Sequence, residues 1–106
     1  MTNLEGKVAV ITGGASGIGE GTVRLFAEQG ARVVIADIQD ERGQQLAEDL
    51  GPTTAYQHTN VSQEEDVRAA VQLAVQKWGR LDCIFNNAGF GGVSGPIELT
   101  DMDAYD

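Results

Sequence analysis

The run Val8-Ala-Val-Ile-Thr-Gly-Gly-Ala-Ser-Gly-Ile-Gly19 limits what this chain can fold into more than any other stretch. Its four leading apolar residues, Val8 to Ile11, read as a short buried strand that Thr12 closes. Glycines 13, 17 and 19 then run straight into a helical pattern beginning near Ile18. Glycine allows the tight turn and the positive φ that a side chain penalises. Its missing side chain also lets the backbone approach an anion closely. The first helical N–H groups, with the positive end of the helix dipole, then face that anion. A strand, a glycine loop and a helix in this order make a phosphate cradle.

A glycine-rich loop can also be a tight strand-to-helix turn with no ligand, so its surroundings decide. A second apolar, β-branched run, Val33 to Ala36, ends in Asp37, 18 positions past Gly19. That is close to the spacing of about 20 for the acid that bonds the adenosine ribose hydroxyls in a dinucleotide fold. Together the elements predict dinucleotide binding. The loop spacing is G-x-x-x-G-x-G rather than G-x-G-x-x-G, and a P-loop is excluded because no Gly-Lys-Ser/Thr follows. Asp37 offers acceptor oxygens for the ribose 2′- and 3′-hydroxyls and repels a 2′-phosphate, while Ser16 and Ile38 carry no positive charge to attract one. NAD is therefore favoured over NADP.

Length and composition fit one small domain: 106 residues, 42% hydrophobic and 22% charged. The net charge of −9, with seven Lys and Arg set singly, argues against nucleic acid or an anionic membrane as partner. No apolar run approaches the roughly 18 residues of a membrane span. Met1 to Lys7 lacks the basic start and apolar core of a signal peptide, and the single Cys83 makes no internal disulfide. These features predict a cytoplasmic location.

The rest of the chain continues a strand–helix rhythm. The first helix is expected over 17–29, with Ile18, Thr22, Leu25 and Phe26 on its inner face and Gly30 as its stop. Asp40 is expected to cap a second helix over 41–50, with Gly43, Leu46, Ala47 and Leu50 inward and Gly51-Pro52 ending it. Residues 53–61 read as a third strand. Ser62-Gln-Glu-Glu65 has the form of a capping box. It precedes a stripe of Val67, Ala70, Val71, Ala74, Val75 and Trp78, which Gly79 stops. Leu81 to Phe85 forms the fourth strand, 90–95 is a glycine-rich loop, and Thr100 with Asp103 resembles another helix start. Strands alternating with helices predict an α/β fold: one half of a Rossmann-type, doubly wound parallel sheet of order 3-2-1-4. Its crevice opens at the C-terminal ends of the strands, where residues 12–19, 37–38, 60–61 and 86–95 collect.

Thr12-Gly-Gly-Ala-Ser-Gly-Ile-Gly19 together with Asn86-Asn-Ala-Gly89 resembles the N-terminal half of a short-chain dehydrogenase/reductase, and the similarity runs over essentially the whole chain. Members of that family have one doubly wound domain about twice this length. The resemblance thus implies a domain, 1–106, cut before its catalytic half. It further implies cofactor contacts from Gly13, Ser16, Gly17, Ile18 and Gly19, from Asp37 and Ile38, and from Asn60 and Val61 at the adenine. Asn87, Ala88 and Gly89 would brace the backbone around the inner ribose. Relatives often carry Asp at position 60; here an amide bonds the adenine amino group by its carbonyl oxygen.

Family enzymes use a tyrosine acid/base and a lysine four residues later that lowers its pKa, with a serine and an asparagine in support. Tyr56 is followed four places on by Asn60, and Tyr105 lies one residue from the end, so neither forms that pair and no catalytic residue is assigned. The expected partners are NAD and a small alcohol or carbonyl substrate, with the complete form a homo-oligomer. Two other classes fit the same residues: a nucleotide-binding module without catalysis, and an interaction scaffold that keeps the fold without a ligand.

Other features read as structural. His58 has no Cys or His partner at metal spacing, and no metal site is expected. G-x-S-x-G fails at Ser16 and Ser94, and Asp101, Asp103 and Asp106 lack the glycine and glutamate of a calcium loop. Asn60-Val-Ser62 matches a glycosylation sequon by coincidence. The far edge of strand 4 is expected to be open, leaving residues 1–106 alone marginally folded or dimeric through that edge. A cooperative, concentration-independent melt of a monomer contradicts this expectation.

Overall fold

The computed structural model describes residues 4–15 and 17–86. Its elements are β1 (Val8–Thr12), α1 (Gly17–Glu28), β2 (Arg32–Asp37), α2 (Asp40–Leu50), β3 (Thr54–His58), α3 (Glu64–Trp78) and β4 (Cys83–Asn86). The sheet is parallel, with the order β3-β2-β1-β4 that the alternation of strands and helices predicts. β1 sits between β2 and β4, in register through Val10↔Val34 and Val10↔Ile84.

Two helical layers explain why β1 and β2 are apolar without a break. Ala9, Ile11, Val33 and Ile35 point to one face, where they bury Val23 of α1 and Leu46 of α2. Val8, Val10, Val34 and Ala36 point to the other, against Ala70 and Ala74 of α3, with Leu73 and Trp78 alongside. The period of two that alternates strand side chains thus feeds two separate cores, and neither face is left to water.

The inner face of α1 keeps the expected Phe26 but is otherwise rotated from the one expected. Gly19 and Val23 are buried, while Ile18 is 78% and Leu25 52% exposed. Gly19 decides the rotation. A Cβ there would stand 1.8 Å from the Gly13 carbonyl oxygen, so α1 can lie this close to the loop only on its glycine side. The helix ends one residue before the expected Gln29. Gly30 N–H donates to Ala27 O at 3.1 Å and Ala31 N–H to Phe26 O at 3.0 Å, a Schellman closure around a left-handed glycine.

In α2, Gly43, Leu46, Ala47 and Leu50 face inward as expected, but Asp40 does not cap the helix. Gln39 holds the cap position, its side chain making no capping bond to the helix, and the Asp40 carboxylate turns instead to β3. The capping box of α3 also does not form. Gln63 is the cap residue, and the Ser62 hydroxyl donates to Asn60 Oδ1 at 2.7 Å. Ser62 lies one residue before the cap position, in the turn whose Asn60 side-chain carbonyl oxygen takes its hydroxyl hydrogen, so its oxygen is not set against the helical donors. Along α3 the buried stripe is Ala70, Leu73, Ala74 and Trp78, while Val75 faces water. β3 stops at His58 rather than Val61 because the Asn60–Ser62 turn takes the chain away from the sheet. β4 starts at Cys83, after Asp82 has tied it to the head of β1: its Oδ2 accepts Val8 N–H at 2.8 Å and its N–H donates to Val8 O at 2.8 Å.

Candidate functional site

The C-terminal ends of β1, β2 and β3 lie side by side, which brings the glycine loop, Asp37 and the residues after His58 to one edge of the sheet. Each glycine of the loop has a different task. Gly13 takes φ 65°, and its N–H donates to Ala36 O at 2.7 Å, continuing the β1–β2 pairing one step past Thr12. Gly14 is buried, and a Cβ on it would lie 3.0 Å from Ile11 O and 3.1 Å from a Val23 methyl. Gly17 takes φ 56° at the first position of α1, with nothing within 4 Å of where its Cβ would be. It is the open end of the cradle, and Gly19 is the close-packed end.

At the head of α1 the N–H groups of the first turn have no partner within the helix, and the helix dipole adds a partial positive charge there. Open space in front of Gly17, a positive φ that only glycine adopts cheaply, and unpaired helical donors fit a pyrophosphate. Ile18, on the same turn, is exposed beside this opening.

Asp37 stands at the end of β2 and is only 6% exposed. Its Oδ2 accepts Ala15 N–H at 2.9 Å and its Oδ1 accepts Gln39 N–H at 3.0 Å. Each carboxylate oxygen keeps acceptor capacity beyond one such bond, so the pair can also receive two ribose hydroxyls. Ile38, next in the chain, is exposed and apolar. Arg24 and Arg42, which line a groove with Ala15 between α1 and α2, both turn to Glu20, at 2.9 and 3.9 Å.

Asn60 lies two residues beyond β3, and its Oδ1 accepts both the N–H of Ser62 at 3.0 Å and its hydroxyl at 2.7 Å. Its backbone N–H donates to Asp66 Oδ2 at 3.0 Å. The carbonyl oxygen expected to meet an adenine amino group is therefore engaged within its own turn, leaving the amide N–H₂ as the side chain's outward chemistry. Val61 follows, half-buried. On the other side of β1, Thr12 Oγ1 donates to Asn86 Oδ1 at 2.8 Å, bracing the ends of β1 and β4. Ser16, Asn87, Ala88 and Gly89 lie outside the described residues, as do the loop at 90–95, Thr100, Asp103 and Tyr105.

Three groups at this edge escaped the sequence reading. Tyr56 lies over Gly43, and its hydroxyl reaches Asp37 O at 2.6 Å and Asp40 Oδ1 at 2.5 Å. His58 Nδ1 meets that same Asp40 oxygen at 2.8 Å. Tyr56 and His58, two apart in a strand, share the face that Asp37 occupies on β2, and this spacing was the signal available in the sequence. Burial pushes the Tyr56 hydroxyl pKa up, and the adjacent Asp40 carboxylate adds to the rise, so Tyr56 stays a hydrogen donor. Among the described residues no group of acids, histidines and cysteines is placed to hold a metal ion. Nor is any described helix long and apolar enough to cross a membrane.

A family model described as short chain dehydrogenase matches residues 7–106. The chain is 55% identical over 104 residues to tropinone reductase-like 1 of Erythroxylum coca, covering 97% of this chain and 38% of that protein. It is 62% identical over 94 residues to momilactone A synthase of Oryza sativa subsp. japonica, covering 88% of this chain and 33% of that one. Among solved structures, 3-ketoacyl-(acyl-carrier-protein) reductase from Brucella melitensis, complexed with NADH, aligns with a TM-score of 0.80 and 41% identity. That alignment covers 97% of this chain and 43% of the reductase. The chain thus spans between a third and two fifths of the length of the curated relatives it matches.

Proposed function

Because this chain belongs to the short-chain dehydrogenase family, we propose that residues 1–106 form the NAD-binding domain of an oxidoreductase that moves hydride between nicotinamide and an alcohol or carbonyl substrate. The observation that carries the reading is the buried Asp37 carboxylate at the end of β2, fixed against the glycine loop by Ala15 N–H.

The residues divide the work by chemistry. The N–H groups at the head of α1, freed by Gly17 and the closely packed Gly19, take the pyrophosphate. Asp37 accepts the two hydroxyls of the adenosine ribose, and the exposed Ile38 side chain covers the adenine from one side. Asn60 and Val61 edge the adenine, Asn60 through its amide N–H₂. Ser16, Asn87, Ala88 and Gly89 are further cofactor contacts on the strength of the family motifs that carry them. Bound NAD supplies the hydride acceptor. The acid/base groups that work with it in the family lie outside the matched motifs of this chain, and no residue described here takes that role.

NAD rather than NADP follows from charge. A 2′-phosphate would meet the Asp37 carboxylate, and Arg24 and Arg42 are already engaged with Glu20. The NADH complex of the Brucella reductase supports a nicotinamide cofactor. The substrate is a small molecule of the alcohol/ketone class to which the relatives' names point, and the working form is a homo-oligomer in the cytoplasm. Calorimetric titration of the full-length protein with NAD and NADP tests the proposal. NAD binding at micromolar to millimolar concentration, lost in Asp37→Ala, is expected; absence of binding by a folded sample overturns it.

A further inference from the structure

Register pairs Ile35 with Tyr56 and Asp37 with His58 across β2 and β3, so these four side chains share the face that α1 and α2 cover. Tyr56 reaches along this face because α2 has a glycine where the ring passes. A Cβ at Gly43 would stand 2.1 Å from Tyr56 Cε1. The phenol hydroxyl then lies between two acceptors, the Asp37 carbonyl at 2.6 Å and Asp40 Oδ1 at 2.5 Å. It has one hydrogen to give. That hydrogen favours whichever oxygen is the stronger acceptor, and the strength of Asp40 depends on His58, 2.8 Å from the same oxygen.

With His58 protonated, the Asp40 charge is matched and the hydroxyl hydrogen turns to the Asp37 carbonyl. With His58 neutral, Asp40 draws the hydrogen away. Thr59 N–H donates to the Asp37 carbonyl at 2.8 Å in either case, so β2 and β3 stay paired. What changes is the second bond, which holds the plane of the Asp37–Ile38 peptide. That peptide joins the ribose acceptor to the residue placed over adenine.

We propose that His58 and Asp40 are positioning residues for the adenosine end of the cofactor, acting through the Tyr56 hydroxyl on the Asp37 carbonyl, so that cofactor affinity follows the protonation of His58. The inference rests on the reading of Asp37 as the ribose acceptor. The charged groups that face His58 are Asp37, its register partner on β2, Asp40 from the first turn of α2, and Asp66 from α3; Arg42 is the cation of that same first turn. Of these, Arg42 pairs with Glu20, and Asp66 accepts Asn60 N–H. The hydrogen bond to Asp40 raises the His58 pKa above the usual 6.5; desolvation opposes the rise, and the charges of Asp40 and Asp66 add to it. A protonated His58 also adds positive charge near an anionic cofactor, so both effects have one sign: binding is tighter below the His58 pKa and weakens as pH rises through it.

The test is the NADH dissociation constant of the full-length protein between pH 5.5 and 8.5, with the His58 pKa followed by NMR with and without cofactor. A weakening of about threefold across the His58 titration is expected, matched by a rise of about half a unit in the His58 pKa on binding. His58→Gln should flatten the profile. Tyr56→Phe should reduce the pH dependence to the part carried by the His58 charge while leaving His58 titrating, which separates positioning through the hydroxyl from charge alone; it also gives the reading if His58→Gln fails to fold. A profile unchanged in either folded variant overturns the inference and leaves NAD binding intact. Absence of NADH binding at every pH by folded protein overturns the cofactor reading, and this inference with it.

Discussion

The carboxylate of Asp37 accepts the backbone N–H of Ala15 at 2.9 Å, joining the end of β2 to the glycine loop 22 residues earlier in the chain. The same oxygens that would hold the ribose therefore also fix the loop that would hold the pyrophosphate. Asp37→Ala should lower NAD affinity by at least about tenfold and leave two backbone donors unpaired, costing about 1–3 kcal/mol of stability. Asp37→Asn should fall between, because its amide has one acceptor for the two donors, and should raise NADP affinity relative to NAD. Paired calorimetric titrations and thermal melts of the three proteins check both halves of the prediction. Full NAD affinity in Asp37→Ala would contradict it.

The two glycines at either end of the cradle should fail in different ways. Gly19→Ala forces a methyl into the Gly13 carbonyl, 1.8 Å away, so α1 must lift from the loop. The expected cost is about 3 kcal/mol or more, seen as a lowered Tm or an insoluble protein. Gly17→Ala meets no atom and carries only the strain of φ 56°, about 1–2 kcal/mol. Its methyl would project into the open space before α1, so this variant should stay folded and bind NAD much more weakly. Equal effects on melting would contradict the assignment.

Gly43 and Tyr56 form a coupled pair. Gly43→Ala must displace the Tyr56 ring, because the new methyl would stand 2.1 Å from Cε1. The hydroxyl bonds to Asp37 and Asp40 go with it, for a combined cost of about 1–3 kcal/mol. Placed on Tyr56→Ala, the same substitution should cost far less, since the obstructing ring is gone. Denaturant unfolding of the double-mutant cycle measures the difference, and additive costs would contradict the contact.

Stability should vary with pH through the His58–Asp40 pair, with signs fixed by the two shifts. The His58 pKa is raised by its bond to Asp40, so its stabilisation is complete below the unfolded value of 6.5 and fades as pH rises through the higher folded value. The Asp40 pKa is lowered by the Tyr56 and His58 bonds, so its contribution is present above 3.8 and fades as pH falls through the lower folded value. Both side chains are more than half exposed, which keeps the effect small. Melting temperature should decline gently as pH rises from 6.5 through the raised His58 pKa, and His58→Gln should remove that decline. An unchanged decline in the variant would assign it to other groups.

The cradle was legible from residue order alone because its chemistry is local. Glycines at 13, 17 and 19 between an apolar strand and a helix, with an acid 18 positions on, need no tertiary knowledge to be read. The strand order was legible too, since alternating strands and helices leave a parallel sheet few arrangements. Family membership followed from the same motifs.

What the sequence left open are choices between nearly equal local options, and packing made them. The apolar residues of α1 allow two neighbouring stripes, one with Ile18 and Leu25 and one with Val23. Only the close approach of Gly19 to Gly13 selects the second. Asp40 and Ser62 are good helix caps by residue type, yet each finds another partner, Tyr56 and His58 for Asp40 and Asn60 for Ser62. The Asn60 carbonyl oxygen is spent in the same way. Those partners come from other strands or from the geometry of a turn. Local patterning therefore determined the fold and the glycine loop between β1 and α1, while the hydrogen-bond network around Asp37 was decided only when β2, β3 and α2 came together, because each polar group bonds the nearest compatible partner in space.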